Sequence, residues 1–194
     1  MRRTTIQTTE MHKVVQERDY LLDSELLLLI EAAGKTGRHG KRDQVLIQMA
    51  YMHGLRVQEI CDLQWHQVDF KTATLHVQRV KNGNDSMQPI KGEVLRALRA
   101  MKKESESPFV FVSERGDQMR RDNILKMVKR AGEVAELEVS VHPHMLRHSC
   151  GYNLANKQQD TRAIQDYLGH KNIQNTVRYT RLAKDRFKGF DRLF

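Results

Sequence analysis

The sequence predicts a mainly α-helical α+β domain with one small antiparallel sheet. Apolar residues recur at helical spacing along most of the 194 residues. Strict alternation is confined to a central stretch, 74–78, which is followed by a strong turn signal. The length suits one good hydrophobic core, and the chain contains no internal repeat or low-complexity segment.

Three helices are predicted in the first third of the chain, at 23–33, 43–54 and 55–63. Asp23 is expected to cap the first, and Gly34 to stop it. Arg56 falls at the N-terminal end of the third. That position suits an anion, because free backbone N–H groups and a guanidinium can point at the same phosphate.

The sheet is expected to be a β-hairpin. Thr74–Gln78 forms one strand, Met87–Ile90 forms the other, and Asn82–Asp85 makes the turn. Lys81 therefore lies at the tip of the hairpin, where its side chain can swing into or out of a site.

Helices dominate the prediction for the remainder of the chain. They are expected at 93–102, 122–136, 143–155, 161–168 and 173–180. Asp122 is assigned as an N-cap, and Pro143 as the first residue of its helix. One further buried strand is predicted at Phe109–Val112, ended by Arg115 and Gly116.

The charge of the chain is strongly basic and unevenly distributed. The formal net charge is +9 and the pI is about 9.7. From Val141 to Phe194 there are ten Lys and Arg against four Asp and Glu, an excess of six positive charges. This distribution favours a polyanionic partner and predicts salt-sensitive binding.

Cysteine usage and hydropathy indicate the compartment. Cys61 and Cys150 give no disulfide framework and lie in apolar helical patterns, as expected of core thiols in a reducing interior. No apolar segment of signal length follows the basic N-terminus, and the apolar run 26–30 is too short to span a bilayer. We expect a cytoplasmic, nucleoid-associated bacterial protein without a membrane partner.

Six separated residues have the chemistry needed to hold and attack a phosphodiester: Arg56, Lys81, His144, Arg147, His170 and Tyr179. Two arginines can bind the non-bridging oxygens of a phosphate, and the transition state of phosphoryl transfer spreads charge over those oxygens. Tyr179 is the candidate nucleophile. A phenol with a pKa near 10 needs nearby cations or a base, and Arg147, Arg178 and a neutral imidazole of His144 or His170 are available.

A metal site is the alternative for the histidine-rich stretch His142, His144, His148 and Cys150. The i, i+4 spacing of His144 and His148 can bind zinc. No His-Glu-x-x-His pattern and no cysteine pair accompany it, so we expect neither metal nor cofactor. His148 is then a core or supporting residue, and His142 belongs to the preceding loop.

The segments around these residues are similar to those of the tyrosine recombinases, which have a phage-integrase-like catalytic domain. The similar segments are His53–Glu59, His144–His148, Leu168–His170 and Thr176–Thr180. The resemblance extends over about residues 20 to 182. Within the family, the chain most resembles the small inversion recombinases that switch fimbrial promoters.

The resemblance implies a mechanism. Tyr179 attacks the scissile phosphate, gives a 3′-phosphotyrosyl link and releases a 5′-hydroxyl, with no need for ATP or metal. Lys81 protonates the leaving oxygen. The alternative is that Lys81 is a solvated lysine in a turn. The pair Asp85-Ser86 favours this alternative, because many relatives have a second basic residue at that position. Glu59 orients Arg56, or else is an ordinary surface carboxylate.

The resemblance also implies an organisation and partners. Residues 1–20 form an arm, 21–182 the catalytic domain, and 183–194 a tail helix with an aromatic stripe that folds back on its own domain or docks on a neighbouring protomer. Family members act as tetramers on double-stranded DNA, so inverted-repeat sites are expected. Residues 1–20 cannot form the N-terminal helical domain of most relatives. This predicts weaker intrinsic DNA affinity and reliance on protein–protein contacts, multiple sites or accessory DNA-bending proteins.

Three other functions remain open from the sequence. An integrase of a mobile element has the same motifs as an inversion enzyme that controls fimbrial expression. A type IB topoisomerase uses similar residue types. A DNA-binding regulator on a recombinase scaffold is the non-enzymatic alternative, and the presence of all six residues argues against it.

Overall fold

The computed structural model describes residues 18–80, 83–181 and 183. Over these residues it contains eight α-helices and a three-stranded sheet, so the predicted fold class is confirmed. The helices are α1 (Asp23–Lys35), α2 (Gly40–Met52), α3 (Val57–Cys61), α4 (Gly92–Lys103), α5 (Arg121–Val134), α6 (Pro143–Asn156), α7 (Thr161–Leu168) and α8 (Gln174–Arg181). The strands are β1 (Val68–Asp69), β2 (Thr74–Val77) and β3 (Ser86–Pro89).

The main hydrophobic core is built by the apolar faces of the first six helices. α1 contacts α2 and α5, while α2 also contacts α4 and α6. Leu29, Leu46, Ile47 and Phe111 are fully buried there. Helical spacing of the apolar side chains along these helices directs one face of each helix inward, and Phe111 joins the core from a connection between helices.

The sheet is antiparallel in the order β1-β2-β3, and the predicted hairpin is confirmed as β2 and β3. Leu75 lies opposite Gln88, and Val77 opposite Ser86. Leu75 and Val77 are buried, as the period of two requires. β1 has only two residues, too few for an alternating pattern, and was therefore not predicted.

The strand predicted at Phe109–Val112 is wrong. Phe109 and Val112 each form a single isolated bridge, to Gln64 and Gln118, and no ladder joins them. Val110 and Phe111 are both buried, so this segment is apolar because it passes through the main core and not because it forms a strand. An apolar run without alternation does not distinguish a strand from a buried connection.

Several predicted helix ends differ from the structure. Asp23 is the first residue of α1 rather than its cap, and the carboxylate of Glu25 accepts the Leu22 N–H at 2.7 Å. α1 continues past Gly34 to Lys35, α2 begins at Gly40 rather than Asp43, and α5 ends at Val134 rather than at Glu136. Asp122 similarly lies in the first turn of α5. An acidic residue in the first turn complements the helix dipole as well as one at the cap, so the sequence did not separate the two positions.

A smaller hydrophobic cluster joins the last three helices. It contains Cys150, Tyr152, Ile164, Leu168 and Tyr179. α6 belongs to both clusters, because Met145 and Leu146 face the main core. This shared helix places α6 between the helices of the main core, α2 and α5, and the last two helices, α7 and α8.

Both cysteines are buried free thiols, as predicted. Among the described residues, no helix has both the length and the apolar character needed to cross a membrane.

Candidate active site

Arg147 lies at the centre of the candidate site, in the first half of α6. Its side chain is buried, with 1 % of the residue exposed. Nη1 donates a short hydrogen bond to the Gly54 carbonyl, and Nη2 donates to the Leu168 carbonyl at 2.7 Å. Burial, followed by the charges of Arg56 and Arg79, lowers the pKa of Arg147 to about 9. Among the described side chains Arg147 has no ion-pair partner, so a buried cation is left that an anion can neutralise.

Two glycines shape the backbone that holds Arg147. Gly54 and Gly169 have φ values of 54° and 64°, the left-handed region that favours glycine. Gly169 ends α7 and brings its backbone against Arg79, so a Cβ atom there would lie 2.6 Å from the Arg79 Cγ atom. These positions explain why glycine occurs in both of the motif segments.

Arg56 is the N-cap residue of α3, which confirms its predicted place in the fold. Its backbone N–H donates to Glu59 Oε2 at 2.9 Å, and its Nη1 donates to Glu59 Oε1 at 2.8 Å. The backbone N–H is therefore taken, and the guanidinium, whose side chain is 26 % exposed, is the part that can meet a ligand.

Glu59 is buried rather than an ordinary surface carboxylate, with 2 % of its side chain exposed. It also pairs with Arg79, whose Nη1 donates to Glu59 Oε2 at 2.8 Å. Burial would raise the pKa of Glu59, but the charge of Arg79 and the hydrogen bonds from Arg56 hold it below its ordinary value. The carboxylate thus stays ionised between two guanidinium groups.

Arg79 is a buried residue of the site that was not predicted from the sequence. Its side chain is fully buried and donates to the carbonyls of His53 (2.9 Å), Gly54 (3.1 Å) and Tyr167 (2.5 Å). A signal was present: Arg79 continues the alternation of Leu75 and Val77, which places a charged side chain on the buried face. Buried charges are paired, so this position predicted a partner.

Tyr179, on α8, is 1 % exposed. Burial outweighs the charges of Arg147 and Arg178 and raises the pKa of Tyr179 to about 12. The ring lies against α6 at Gly151, where a Cβ atom would be 2.6 Å from Tyr179 Cε2. Tyr152 contacts the ring edge-on, with centroids 5.0 Å apart. The phenol is therefore fixed in place by packing.

The hydroxyl of Tyr179 lies 2.8 Å from His148 Nδ1. Asp19 lies on the other side of His148, with its Oδ2 atom 3.7 Å from Nε2. The same carboxylate accepts a short hydrogen bond from Arg178. Asp19 was assigned to the N-terminal arm, and nothing local in the sequence links it to α6 or α8.

His170 lies beside the phenol ring, whereas His144 contacts His148, and neither forms a described hydrogen bond with the Tyr179 oxygen. The buried His170 ring is stacked beside the Tyr179 ring at 6.2 Å, and its Nδ1 is 2.9 Å from Thr176 Oγ1. Burial and then the charge of Arg147 lower the pKa of His170 to about 3. His144 is exposed and meets His148 edge-on at 4.4 Å. Burial of part of its ring, and then Arg147, lower the pKa of His144.

The structure thus brings five of the six predicted residues close enough for their charges to shift each other's pKa values. These five residues are Arg56, His144, Arg147, His170 and Tyr179. Lys81 lies outside the described residues, in the connection between β2 and β3. The tail helix predicted at 183–194 also lies outside them, except for Ala183. In the described part of the chain, no group of three or more His, Cys, Asp or Glu side chains is placed to hold a metal ion.

The arrangement can therefore bind a phosphate and present a phenol to it. Arg56 and Arg147 supply the cations, and Tyr179 is held beside them. The His170 imidazole is neutral at pH 7, because burial lowers its pKa.

Comparisons with known proteins agree with this chemistry. Residues 19–186 match the Phage integrase family. The chain is 39 % identical over 180 residues to the type 1 fimbriae regulatory protein FimB of Escherichia coli K12, covering 90 % of each chain. It is 37 % identical over 182 residues to FimE of the same strain, covering 90 % of this chain and 91 % of FimE.

The fold is similar to that of solved recombinases. The crystal structure of XerA recombinase superimposes with a TM-score of 0.76 at 27 % identity, over 90 % of this chain and 64 % of that chain. XerH in a post-cleavage complex with difH has a TM-score of 0.75 at 22 % identity, over 89 % of this chain. The chain spans 52 % of the XerH chain.

Proposed function

The chain belongs to the phage integrase family, and on that premise we propose that it is a site-specific DNA recombinase that cuts and rejoins DNA through Tyr179. The main support for this proposal is that the Tyr179 phenol is buried beside Arg147. The Arg147 guanidinium is also buried and has no ion-pair partner in the described residues. A scissile phosphate supplies the missing negative charge. Arg56, held by Glu59, supplies the second cation.

The reaction follows from this arrangement. The two guanidinium groups bind the non-bridging oxygens and stabilise the charge that develops on them. Tyr179 Oη attacks phosphorus, forms the 3′-phosphotyrosyl link and displaces the 5′-oxygen, which Lys81 protonates. Attack by a 5′-hydroxyl of the same or a partner strand reverses the step. Bond energy is kept in the link, so the reaction proceeds without ATP.

We propose that the enzyme inverts a promoter element between inverted repeats on double-stranded DNA and thereby controls fimbrial expression. Support comes from the similarity to FimB and FimE, which extends over 90 % and 91 % of those proteins. The DNA-bound XerH and Tn1549 integrase structures support a duplex DNA partner. We further propose a tetramer in the synaptic complex, assistance by accessory DNA-bending proteins, and a cytoplasmic, nucleoid-associated location.

The test of the nucleophile is Tyr179→Phe, which removes only the hydroxyl. We expect it to abolish the denaturant-resistant protein–DNA adduct on a nicked suicide substrate while leaving DNA binding within about threefold. Tyr167→Phe is the matched control, because it also removes a tyrosine hydroxyl, a partly buried one that donates to the Met52 carbonyl at 2.9 Å. An adduct formed by Tyr179→Phe would show that another residue attacks.

The substrate is tested with the chromosomal region that flanks the gene. We expect the covalent junction to map to two inverted repeats, and plasmids carrying that region to undergo inversion. Excision or insertion would instead assign the enzyme to a mobile element. Relaxation of supercoils by a monomer, without recombination, would favour a type IB topoisomerase.

A further inference from the structure

His148 is the side chain that contacts the reacting oxygen, although it is not among the six residues of the candidate catalytic set. Its Nδ1 atom lies 2.8 Å from Tyr179 Oη, within hydrogen-bonding distance. The contact joins α6 to α8 across 31 positions of sequence. His148 itself is buried, with 8 % of the residue exposed.

The direction of this hydrogen bond follows from the other side of the ring. The Asp19 carboxylate lies 3.7 Å from His148 Nε2, too far for a hydrogen bond but close enough to act on its charge. A carboxylate favours the tautomer that carries the proton on Nε2. Nδ1 is then a lone-pair acceptor, and the Tyr179 hydroxyl donates to it.

The phenol needs such an acceptor. Burial raises the pKa of Tyr179 to about 12, so the ionised phenol is scarce near neutral pH. Burial, followed by the neighbouring His144, lowers the pKa of His148 to about 4, so its imidazole is neutral and able to take a proton. His170 Nδ1 faces Thr176 instead, and the His144 ring packs against His148 in a T-shaped contact with centroids 4.4 Å apart.

We propose that His148 is the general base that takes the proton from Tyr179 during strand cleavage, with Asp19 as the residue that positions and stabilises it. This inference rests on the proposed function. As the bond between Tyr179 Oη and phosphorus forms and the bond to the 5′-oxygen breaks, the phenol proton passes to His148 Nδ1. The 5′-oxygen takes a different proton, from Lys81. On rejoining, His148 returns its proton to the departing Tyr179 oxygen.

The surroundings of His148 suit a transient imidazolium that is returned to neutral. Asp19 from the N-terminal segment stabilises the positive charge, while His144 and Arg147 on α6 and Arg178 on α8 oppose it. Asp19 is shared with Arg178, whose side chain is 46 % exposed. A base in this setting releases its proton readily, as reversal of the reaction requires.

The test is the pH dependence of single-turnover cleavage by His148→Asn. Asparagine places a polar atom near the position of Nδ1 and keeps a hydrogen bond to the phenol, but cannot act as a base. We expect cleavage to fall at least about a hundredfold near neutral pH. The ratio of wild-type to variant rates should then decrease about tenfold per pH unit as hydroxide replaces the base, from about pH 6 to about pH 9.

A purely structural role of His148 would give a rate ratio that does not change with pH, and that result would overturn the proposal. A variant rate close to that of the wild type would overturn it as well. His66→Asn is the control, because His66 is exposed and takes no part in the hydrogen bonds described for the site. Wild-type protein that forms no adduct at all would instead refute the proposed function.

A second measurement tests the proposal even if His148→Asn is less stable than the wild-type protein. Replacing Tyr179 by a fluorinated tyrosine lowers the phenol pKa and reduces the need for a base. We expect this replacement to restore most of the cleavage lost in His148→Asn, while adding little to the wild type. Equal effects of the fluorinated residue in both backgrounds would remove His148 from the proton transfer. Asp19→Asn should cause a smaller loss, about tenfold, with an unchanged requirement for Tyr179.

Discussion

Substitution of Glu59 by glutamine tests whether the buried carboxylate holds the two arginines of the site. Glu59 accepts four hydrogen bonds: from the Arg56 backbone (2.9 Å), Arg56 Nη1 (2.8 Å), Arg79 Nη1 (2.8 Å) and the Val80 backbone (3.2 Å). Glutamine has the same shape, but it is neutral and turns one acceptor oxygen into a donor. The Arg79 side chain, which is fully buried, would lose its counter-charge.

The expected cost is large. Breaking a buried ion pair by removing one partner typically costs about 3–5 kcal/mol. A domain of this size has a total stability of about 5–15 kcal/mol, so Glu59→Gln should lower the melting temperature by roughly 10 °C. Adduct formation should also fall, because Arg56 loses the carboxylate that orients its guanidinium.

The assay is urea unfolding at several pH values, with Glu133→Gln as the matched control. Glu133 lies 4.0 Å from Lys129 at an exposed position, and its loss should change stability by no more than about 0.5 kcal/mol. The folded-state pKa of Glu59 is lowered, so its stabilisation is present above the ordinary carboxylate pKa and is lost as pH falls through the folded value. The difference between wild type and Glu59→Gln should therefore narrow below about pH 4. Equal effects of Glu59→Gln and Glu133→Gln at neutral pH would show that the Glu59 carboxylate does not stabilise the two arginines.

Four further predictions concern other parts of the chain. Gly151→Ala should lower the free energy of unfolding by about 1–3 kcal/mol and slow cleavage, because its Cβ would lie 2.6 Å from the Tyr179 ring. Alanine is otherwise the better helix former. Urea unfolding measures the change, and a stabilised variant would contradict this prediction. Lys81→Ala should cleave slowly on normal DNA and recover on a substrate whose leaving oxygen is replaced by sulfur, whereas equal impairment on both would assign Lys81 to binding. A chain ending at Lys184 should stay folded and bind a single site but lose cooperative assembly and recombination, and a collapse of its melting temperature would place the tail in the protomer's own core. Burial lowers the pKa of His53 to about 4, so its stabilisation is full above the ordinary histidine pKa and is lost as pH falls from about 6.5 to about 4. His53→Gln should therefore flatten the fall of unfolding free energy over that range by about 1.4 kcal/mol per pH unit. An unchanged slope would show that folding does not lower the pKa of His53.

The order of the helices and the central hairpin could be predicted because they depend on local patterns. Helix α7 has the predicted bounds, 161–168, since an aspartate cap at Asp160 and a glycine stop at Gly169 enclose a strongly amphipathic segment. The Phe109–Val112 segment failed because its apolar run carries no period. Helix ends shifted by one to three residues where an acidic residue suited both the cap and the first turn.

The residues of the candidate site were recognisable by sequence because their chemical types suit phosphoryl transfer and the short segments around them resemble those of the tyrosine recombinases. The partners that set their properties were not. Arg79 meets Glu59 across 20 positions, His148 meets Tyr179 across 31, and Asp19 meets Arg178 across 159. Each of these contacts crosses from one element to another, so no local period records it.

The fold class, the basic character of the segment 141–194 and the types of residue available for phosphoryl transfer follow from the amino-acid sequence, because composition and periodicity act over a few residues at a time. Which imidazole faces the phenol, and which carboxylate neutralises which guanidinium, depends instead on tertiary packing. Those choices depend on burial and on contacts a few ångströms long between distant segments. Burial raises the pKa of Tyr179 and lowers that of His148, and both shifts arise only when α6 and α8 pack together.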